Sequence, residues 1–246
     1  MIVKFWLGIL IFLFSVGALA KIIVSSDPYP PIIYPKKGMP TGIVTDILPL
    51  ILGKPASELT YRFSPWKRVL SDAEKGSVDI IGPLLITPER SEFLVFTEPL
   101  IRANISLWVR RDNPKVKELI KRNQPIKDFR ELGDLTFGQI LGYAFGEDFG
   151  AFFNKPEVRK VEVVDMGQGV QMLASKRIDV FLAYDPVIEY YIGELKLNKD
   201  DFVVLGEANH EVLYVMGISK KSSLVKELPE INRRISDLKL LQGSRK

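Results

Sequence analysis

The residue best suited to chemistry is Arg90, which lies in the segment LLITPERSEFLVF, residues 84–96. An apolar run ends just before it, and TPER is typical of a helix start. Thr87 suits the helix cap and Pro88 suits the first helical position. Arg90 then lies in the first turn, where a cation opposes the helix dipole. A guanidinium there can bind a carboxylate through two parallel hydrogen bonds, so the pattern predicts an anion-binding arginine.

The same arginine has an ordinary structural interpretation. Most arginines in soluble proteins are exposed, and Glu89, Glu92 and Glu98 are near enough along the chain to pair with Arg90. The chemistry of the segment leaves both interpretations open.

Two aromatic residues follow other strand-like segments. Tyr29 lies in DPYPPIIYP, directly after KIIVSS, and Trp66 lies in PWKR, directly after LTYRFS. Ligands of open α/β sheets bind beyond the carboxyl ends of the strands. Both side chains are therefore placed to stack against a flat or aliphatic ligand. Packing inside the protein is the alternative for each of them.

Strand-like and helix-like segments alternate along the chain, and these must position the residues above. Strands are predicted for segments such as KIIVSS, LTYRFS, VDIIG and IDVFLAY, and helices for TGIVTDILPLILG, PWKRVLSDAEKG and MGQGVQMLASKR. Apolar strands separated by helices indicate an α/β fold with mainly parallel sheets covered on both faces. A chain of 246 residues with 46% apolar composition is enough for one large domain or two small ones.

A short internal echo indicates two similar lobes. AEKG runs into the strand VDII, and ASKR runs into the strand IDVF, which puts Asp79 and Asp179 at matching places. Chance similarity is the alternative. The strand-like segments ISLWV and VLYVMGIS would connect the lobes, with residues 21–104 and 214–246 forming lobe 1 and residues 105–213 forming lobe 2. Two lobes on two hinges can close on a ligand.

The first twenty residues, MIVKFWLGILIFLFSVGALA, have the layout of a secretory signal peptide. Lys4 precedes an apolar run, and small residues follow it, which predicts cleavage after Ala20 and a periplasmic location. An uncleaved membrane anchor is the alternative, although the apolar run is short for a bilayer.

Charge and composition exclude several classes of partner and site. Loss of residues 1–20 removes only Lys4 and lowers the formal net charge from +4 to +3, which gives no support for a nucleic-acid partner. The chain has no cysteine and a single histidine, His210. No disulfide, metal site or cofactor is therefore expected.

Five blocks of sequence together carry a resemblance to a known family. They are YPP at residues 29–31, GMPTGIVTDIL, PWKRVL, KGSVDIIGPLLITPER and VFTEPL, which lie between residues 29 and 100, and the resemblance as a whole covers nearly the whole mature chain. Their order and spacing resemble the periplasmic solute-binding proteins of the amino-acid type, solute-binding family 3. The resemblance implies a two-lobed type II periplasmic-binding-protein fold with two hinge crossings, a monomer, and the permease of an ABC importer as partner. It also implies that Arg90 binds the α-carboxylate of the ligand and that Tyr29 and Trp66 sandwich its side chain.

Three positions depart from the family pattern. Leu85 and the three residues before it carry no side-chain hydroxyl, whereas amino-acid-binding relatives usually have small or hydroxyl residues there. Gly142 and Tyr143 stand where the family commonly has Gly-Thr. Tyr184 occupies the position expected to supply an aspartate for the ligand ammonium, with Asp185 one residue later. Tyrosine cannot neutralise an ammonium.

The predicted ligand-binding residues all lie at strand ends that face the cleft; they are Tyr29, Trp66, Leu85, Arg90, Gly142, Tyr143, Tyr184 and Asp185. Because the departures all favour aromatic or apolar groups, we expect an organic carboxylate other than an ordinary α-amino acid. The alternative is a one-residue shift that lets Asp185 bind an ammonium.

The predicted function is therefore an exported binding protein that captures a small carboxylate-bearing ligand for an ABC importer, without enzyme activity. A periplasmic sensor acting in trans and a dehydratase-like enzyme on the same fold are the alternatives. The enzyme would need a buried carboxylate aimed at the ligand, and the sequence does not identify one.

Overall fold

The structure is a computed structural model, and it describes residues 21–126, 129–206 and 210–243. The predicted signal peptide, residues 1–20, lies outside the described residues. Within the described part of the chain, no helix is long and apolar enough to cross a membrane.

The described residues form twelve strands and eight α-helices. The strands are β1 (Ile22–Ser26), β2 (Tyr34–Lys36), β3 (Met39–Thr41), β4 (Leu59–Phe63), β5 (Ile80–Leu84), β6 (Leu94–Phe96), β7 (Ile101–Arg110), β8 (Thr136–Ile140), β9 (Arg159–Val163), β10 (Val180–Tyr184), β11 (Phe202–Val204) and β12 (His210–Ser219). The helices are α1 (Ile43–Leu52), α2 (Trp66–Lys75), α3 (Pro88–Ser91), α4 (Lys117–Arg122), α5 (Glu147–Phe153), α6 (Met166–Ala174), α7 (Asp185–Glu194) and α8 (Leu228–Gly243).

Two half-sheets with the same topology form the framework. In the first half-sheet β1 lies between β4 and β5, and in the second β8 lies between β9 and β10. All four of these pairings are parallel. The prediction of parallel sheets is confirmed within each half-sheet, because each strand is followed by a helix that returns the chain to the same edge.

The two long strands β7 and β12 connect the half-sheets. The strand β12 pairs antiparallel with β5 on one side and with β6 and β7 on the other, while β7 pairs antiparallel with β10. The expectation of mainly parallel sheets is therefore wrong for the connecting strands, which run against their neighbours as the chain crosses over and returns. We propose the lobe boundaries predicted from the sequence, 21–104 with 214–246 and 105–213, because β7 and β12 make both crossings.

The matching positions of Asp79 and Asp179 in the sequence correspond to the same pair of hydrogen bonds in both half-sheets. The backbone N–H of Asp79 donates to Ile23 O at 2.8 Å, and its Oδ2 accepts from Ile23 N at 2.8 Å. The backbone N–H of Asp179 donates to Thr136 O at 2.7 Å, and its Oδ2 accepts from Thr136 N at 2.9 Å. Each aspartate thus fixes the start of the central strand of its half-sheet, which favours a structural repeat over chance similarity.

The start of α2 shows how local sequence positions a site residue. Its buried residues Trp66, Val69 and Ala73 recur at helical spacing and face the sheet. The helix ends at Gly76, whose φ of 77° is the left-handed conformation that favours glycine. Because Pro65 precedes the helix directly after β4, Trp66 is held in the first turn at the carboxyl end of the first half-sheet.

Candidate functional site

Arg90 lies between the two half-sheets. Thr87 caps α3, with its Oγ1 accepting from Arg90 N at 3.3 Å, as the sequence predicts. The side chain is only 6% exposed. Its Nη1 donates to Leu85 O at 2.6 Å, and its Nη2 donates to Gly142 O at 2.7 Å. Since Leu85 follows β5 and Gly142 follows β8, the guanidinium bridges the halves, and the interpretation as an exposed surface arginine is wrong.

The surroundings of Arg90 do not neutralise its charge. Its Cζ lies 5.5 Å from the centroid of the Trp66 ring, a distance at which a cation is attracted to the ring face. Burial lowers the pKa of Arg90 to about 10, which leaves the side chain charged at neutral pH. Within the described part of the chain, its hydrogen bonds go to neutral carbonyls. A buried cation without a counter-charge is costly, and a carboxylate ligand would supply one.

Trp66 makes a second contact with the same carbonyl. The indole is 4% exposed, and its Nε1 donates to Gly142 O at 3.0 Å. Gly142 has a φ of 81°, and a Cβ on it would lie 3.2 Å from Trp66 Cδ1 and 3.1 Å from Leu70 Cδ1. Glycine therefore permits both the left-handed backbone and the close approach of the half-sheets at this point.

Tyr143 inserts its ring among aromatic residues of the opposite half. Its ring meets Trp66 and Tyr29 edge to face, with centroid distances of 6.0 and 6.4 Å. Its hydroxyl donates to Asp27 Oδ2 at 2.5 Å. Tyr29 is hydrogen-bonded through its own hydroxyl to the hydroxyl of Tyr214 at 3.0 Å. These four aromatic side chains surround the space in front of Arg90.

Asp27 is a site residue that the sequence interpretation missed. It lies directly after β1, is 5% exposed, and is buried among the aromatic rings. Burial raises its pKa to about 7; the hydrogen bond from Tyr143 opposes this shift, and the nearby charge of Asp165 acts in the same direction as burial. Its position at a strand end in DPYPP could have identified it, but Tyr29 is the residue predicted from that segment. Asp27 is a carboxyl group that changes charge near neutral pH.

The space enclosed by these residues is a cavity of about 30 Å³, which is room for about one water molecule. Its lining residues are Asp27, Tyr29, Trp66, Pro83, Leu84, Leu85, Arg90, Tyr143, Ala144 and Tyr214. The structure thus brings together five of the predicted residues, and Gly142 reaches the same place through its carbonyl. Their binding of a ligand stays a prediction.

Tyr184 and Asp185 are placed differently. Tyr184 ends β10, is half-buried, and lies outside the lining of this cavity. Asp185 begins α7, and its Oδ1 accepts from the indole Nε1 of Trp108 at 2.9 Å. The Asp185 carboxylate therefore satisfies a buried donor on β7.

A larger pocket of about 330 Å³ adjoins the cavity and shares Tyr143 and Ala144 with it. Its lining residues come from the start of α3 and from the loop and helix after β8; they are Ile86, Thr87, Pro88, Glu89, Gln139, Tyr143, Ala144, Phe145, Gly146, Gly150, Phe153 and Asn154. Tyr143 thus borders both spaces.

Comparisons with known proteins identify a family from the sequence and a fold from the structure. A sequence profile for bacterial extracellular solute-binding proteins, family 3, matches residues 22–228. A comparison with curated protein sequences found no significant match. The structure is similar to holo ArgBP from T. maritima, with a TM-score of 0.71, 18% identity, and coverage of 89% of this chain and 91% of that chain.

Two further solved structures are similar over most of their length. A histidine kinase sensor domain with similarity to periplasmic binding proteins has a TM-score of 0.73 and 18% identity, with 91% of this chain and 92% of that chain covered. The ancestral amino acid-binding protein AncCDT-1, a precursor of cyclohexadienyl dehydratase, has a TM-score of 0.67 and 21% identity, with 89% and 90% covered. These likenesses confirm the predicted two-lobed periplasmic-binding-protein fold.

Proposed function

Because the chain belongs to the bacterial extracellular solute-binding proteins, family 3, we propose that it captures a small carboxylate-bearing ligand between its lobes by hinge closure. The observation that carries this proposal is Arg90, a residue that is only 6% exposed and whose guanidinium donates hydrogen bonds to neutral carbonyls of both half-sheets. A carboxylate that replaces Gly142 O would add an opposite charge to a hydrogen bond whose acceptor is otherwise a neutral carbonyl.

The narrower proposal, that the ligand is an acid other than an ordinary α-amino acid, depends on which carboxylates near the site already accept hydrogen bonds from the protein. Asp185 accepts from Trp108, and Tyr184 lies outside the cavity lining. Asp27 lines the cavity but accepts from Tyr143. The ammonium of an ordinary α-amino acid would therefore have to displace the Tyr143 hydroxyl, and it would then meet a carboxyl whose raised pKa favours the neutral form. An organic acid with an aromatic or apolar body fits the surrounding rings better.

The cellular location and the membrane partner are proposed from the family to which the chain belongs. We propose that residues 1–20 are a signal peptide removed after Ala20, and that the mature monomer works in the periplasm. Closure around the ligand would create the surface that an ABC permease recognises. A sensor acting in trans would use the same closed form with another membrane partner, and affinity capture of a permease would separate the two roles.

The test is ligand binding by an Arg90→Gln variant, measured by thermal shift and calorimetry against aliphatic, aromatic and amino acids. We expect every acid that binds the wild type to bind the variant about 10- to 100-fold more weakly, as for loss of a charged hydrogen bond. The control is Arg68→Gln, which removes an exposed arginine paired with Asp72 on α2, the helix that begins at Trp66. Equal binding by Arg90→Gln and wild type would refute the site, and tight binding of an unmodified α-amino acid would refute the finer ligand class.

One observation favours a second candidate, an enzyme acting on a hydroxylated cyclic acid. Asp27 is a buried carboxyl that lines the cavity, and burial raises its pKa to about 7. Such a group can donate or accept a proton at neutral pH. Product analysis after incubation with cyclic acids tests this candidate: turnover by the wild type that is lost in Asp27→Asn would support it, and unchanged substrate would exclude it.

A further inference from the structure

Tyr143 occupies the place that a bound ligand would take. Its ring lies between Trp66 and Tyr29, which the resemblance assigns to the ligand sandwich. Its hydroxyl reaches Asp27, and the carbonyl just before it in the chain, that of Gly142, accepts from Arg90. One short stretch of lobe 2 thus satisfies both polar ends of the cavity and fills the space between them.

The covalent structure of this stretch specifies a ligand shape. The carbonyl carbon of Gly142 is joined to the Tyr143 ring through three atoms, the N, Cα and Cβ of Tyr143. The ring then carries its hydroxyl at the opposite, para position. The equivalent free acid has a carboxylate, three methylene carbons and a para-hydroxyphenyl ring.

We propose that Tyr143 is a displaceable internal substitute for the ligand, and that the ligand is an aromatic carboxylate with a hydrogen-bonding group at the far end of its ring. This inference rests on the proposed function and adds the ligand class to it. The ligand carboxylate takes the place of Gly142 O at Arg90, its ring replaces the Tyr143 ring beside Trp66, and its hydroxyl donates to Asp27. The ligand then remakes the ring contacts with Trp66 and Tyr29 and the hydrogen bond to Asp27 that Tyr143 gives up.

The structure provides a place for the displaced ring. Tyr143 also borders the adjoining pocket of about 330 Å³, whose apolar lining includes Ile86, Phe145 and Phe153. Glycines flank the moving residue on both sides, Gly142 with φ 81° and Gly146 with φ 83°. Glycine accepts a wide range of backbone angles, so the loop can turn the ring from the cavity into the pocket.

The experiment measures the affinities of 4-(4-hydroxyphenyl)butanoate and three matched compounds by calorimetry. The first comparison compound, 4-phenylbutanoate, lacks the hydroxyl; the second, 4-(4-hydroxyphenyl)butan-1-ol, lacks the carboxylate; and the third, 4-hydroxyphenylacetate, has one methylene. The proteins are wild type, Tyr143→Ala, Arg90→Gln and Tyr190→Ala. The last is the control, because Tyr190 makes an aromatic contact with Tyr34 elsewhere between the lobes.

We expect Tyr143→Ala to bind the full compound about 10- to 100-fold more tightly than wild type, because the ligand no longer displaces two ring contacts and a hydrogen bond. Loss of the ligand hydroxyl should weaken binding to that variant about tenfold, since Asp27 then loses its donor. The shorter acid should bind more weakly, and Tyr190→Ala should leave this ranking unchanged.

The outcomes separate the inference from the function on which it rests. Binding of acids that depends on Arg90, but with no gain in Tyr143→Ala and no effect of the ring hydroxyl, would overturn the inference and leave the proposed function standing. Absence of any acid binding that depends on Arg90, with melting temperatures showing all variants folded, would overturn both.

Discussion

The raised pKa of Asp27 predicts that the closed structure weakens as the pH rises. Burial raises this pKa from 3.8 to about 7 in the folded protein. The folded state therefore favours the neutral carboxyl, and this contribution is fully present below pH 3.8 and lost as the pH rises to about 7. A difference of about three pKa units corresponds to about 4 kcal/mol.

The perturbation is Asp27→Asn, which keeps an acceptor for Tyr143 and removes the titration. Urea unfolding of both proteins between pH 4 and pH 8.5 gives the free energy of unfolding at each pH. Other groups titrate in both proteins, so the difference between them isolates Asp27. We expect the wild type to lose up to about 4 kcal/mol relative to the variant between pH 4 and pH 8.

Burial of Asp27 fixes the sign of this effect, and the groups that face Asp27 change its size. Tyr143 donates to it, which favours the charged form, while the charge of Asp165 favours the neutral form. Because opening of the lobes would expose Asp27 to water, we also expect a larger radius of gyration at pH 8 than at pH 5 in the wild type alone. Asp112→Asn is the control: Arg110 lowers the pKa of that exposed carboxyl, so the difference between the wild type and this variant should stay nearly constant above about pH 5 and shrink only at lower pH. A wild-type to Asp27→Asn difference that stays constant from pH 4 to pH 8 would refute the reasoning.

Three other substitutions test the framework of the site. Gly142→Ala places a Cβ 3.2 Å from Trp66 Cδ1 at a φ of 81°. We expect small-angle scattering to show a more open protein, or, if the protein stays closed, a loss of about 1–3 kcal/mol in the free energy of unfolding. An unchanged scattering curve and melting temperature would contradict this. Asp179→Ala removes the carboxylate that accepts from the start of β8, and we expect urea unfolding to show a loss of about 1–3 kcal/mol; Asp179→Asn should recover part of it. Trp108→Phe leaves Asp185 without its indole donor, for which we expect a loss of about 1–3 kcal/mol that a Trp108→Phe, Asp185→Leu double variant reduces.

Local signals predicted the elements and the position of Arg90. The Thr87 cap, the Pro88 start and the glycine at position 53 after α1 act within a few residues, so their effects can be recognised in the sequence. The matching positions of Asp79 and Asp179 were visible for the same reason, because each lies between a helix and a buried strand.

The contacts across the cleft could not be predicted in the same way. Asp27 and Tyr143 are 116 positions apart, and nothing near either residue specifies the other. The partner of Asp185 could not be predicted for the same reason, because Trp108 lies 77 positions earlier in the chain. The sequence placed these side chains at strand ends, but which of them meet depends on how the two half-sheets pack.

The carbonyl of Gly142, shared by Arg90 and Trp66, acts as a permanent intramolecular competitor. It is always present at a fixed effective concentration, whatever the ligand supply outside. A ligand that offers another neutral acceptor replaces the Gly142 carbonyl with a group of similar hydrogen-bond strength, so it gains little binding free energy. An anionic acceptor adds the attraction between opposite charges to the hydrogen bond from the guanidinium. Competition from the Gly142 carbonyl therefore selects against amides, esters and alcohols that have the same shape as the carboxylate ligand.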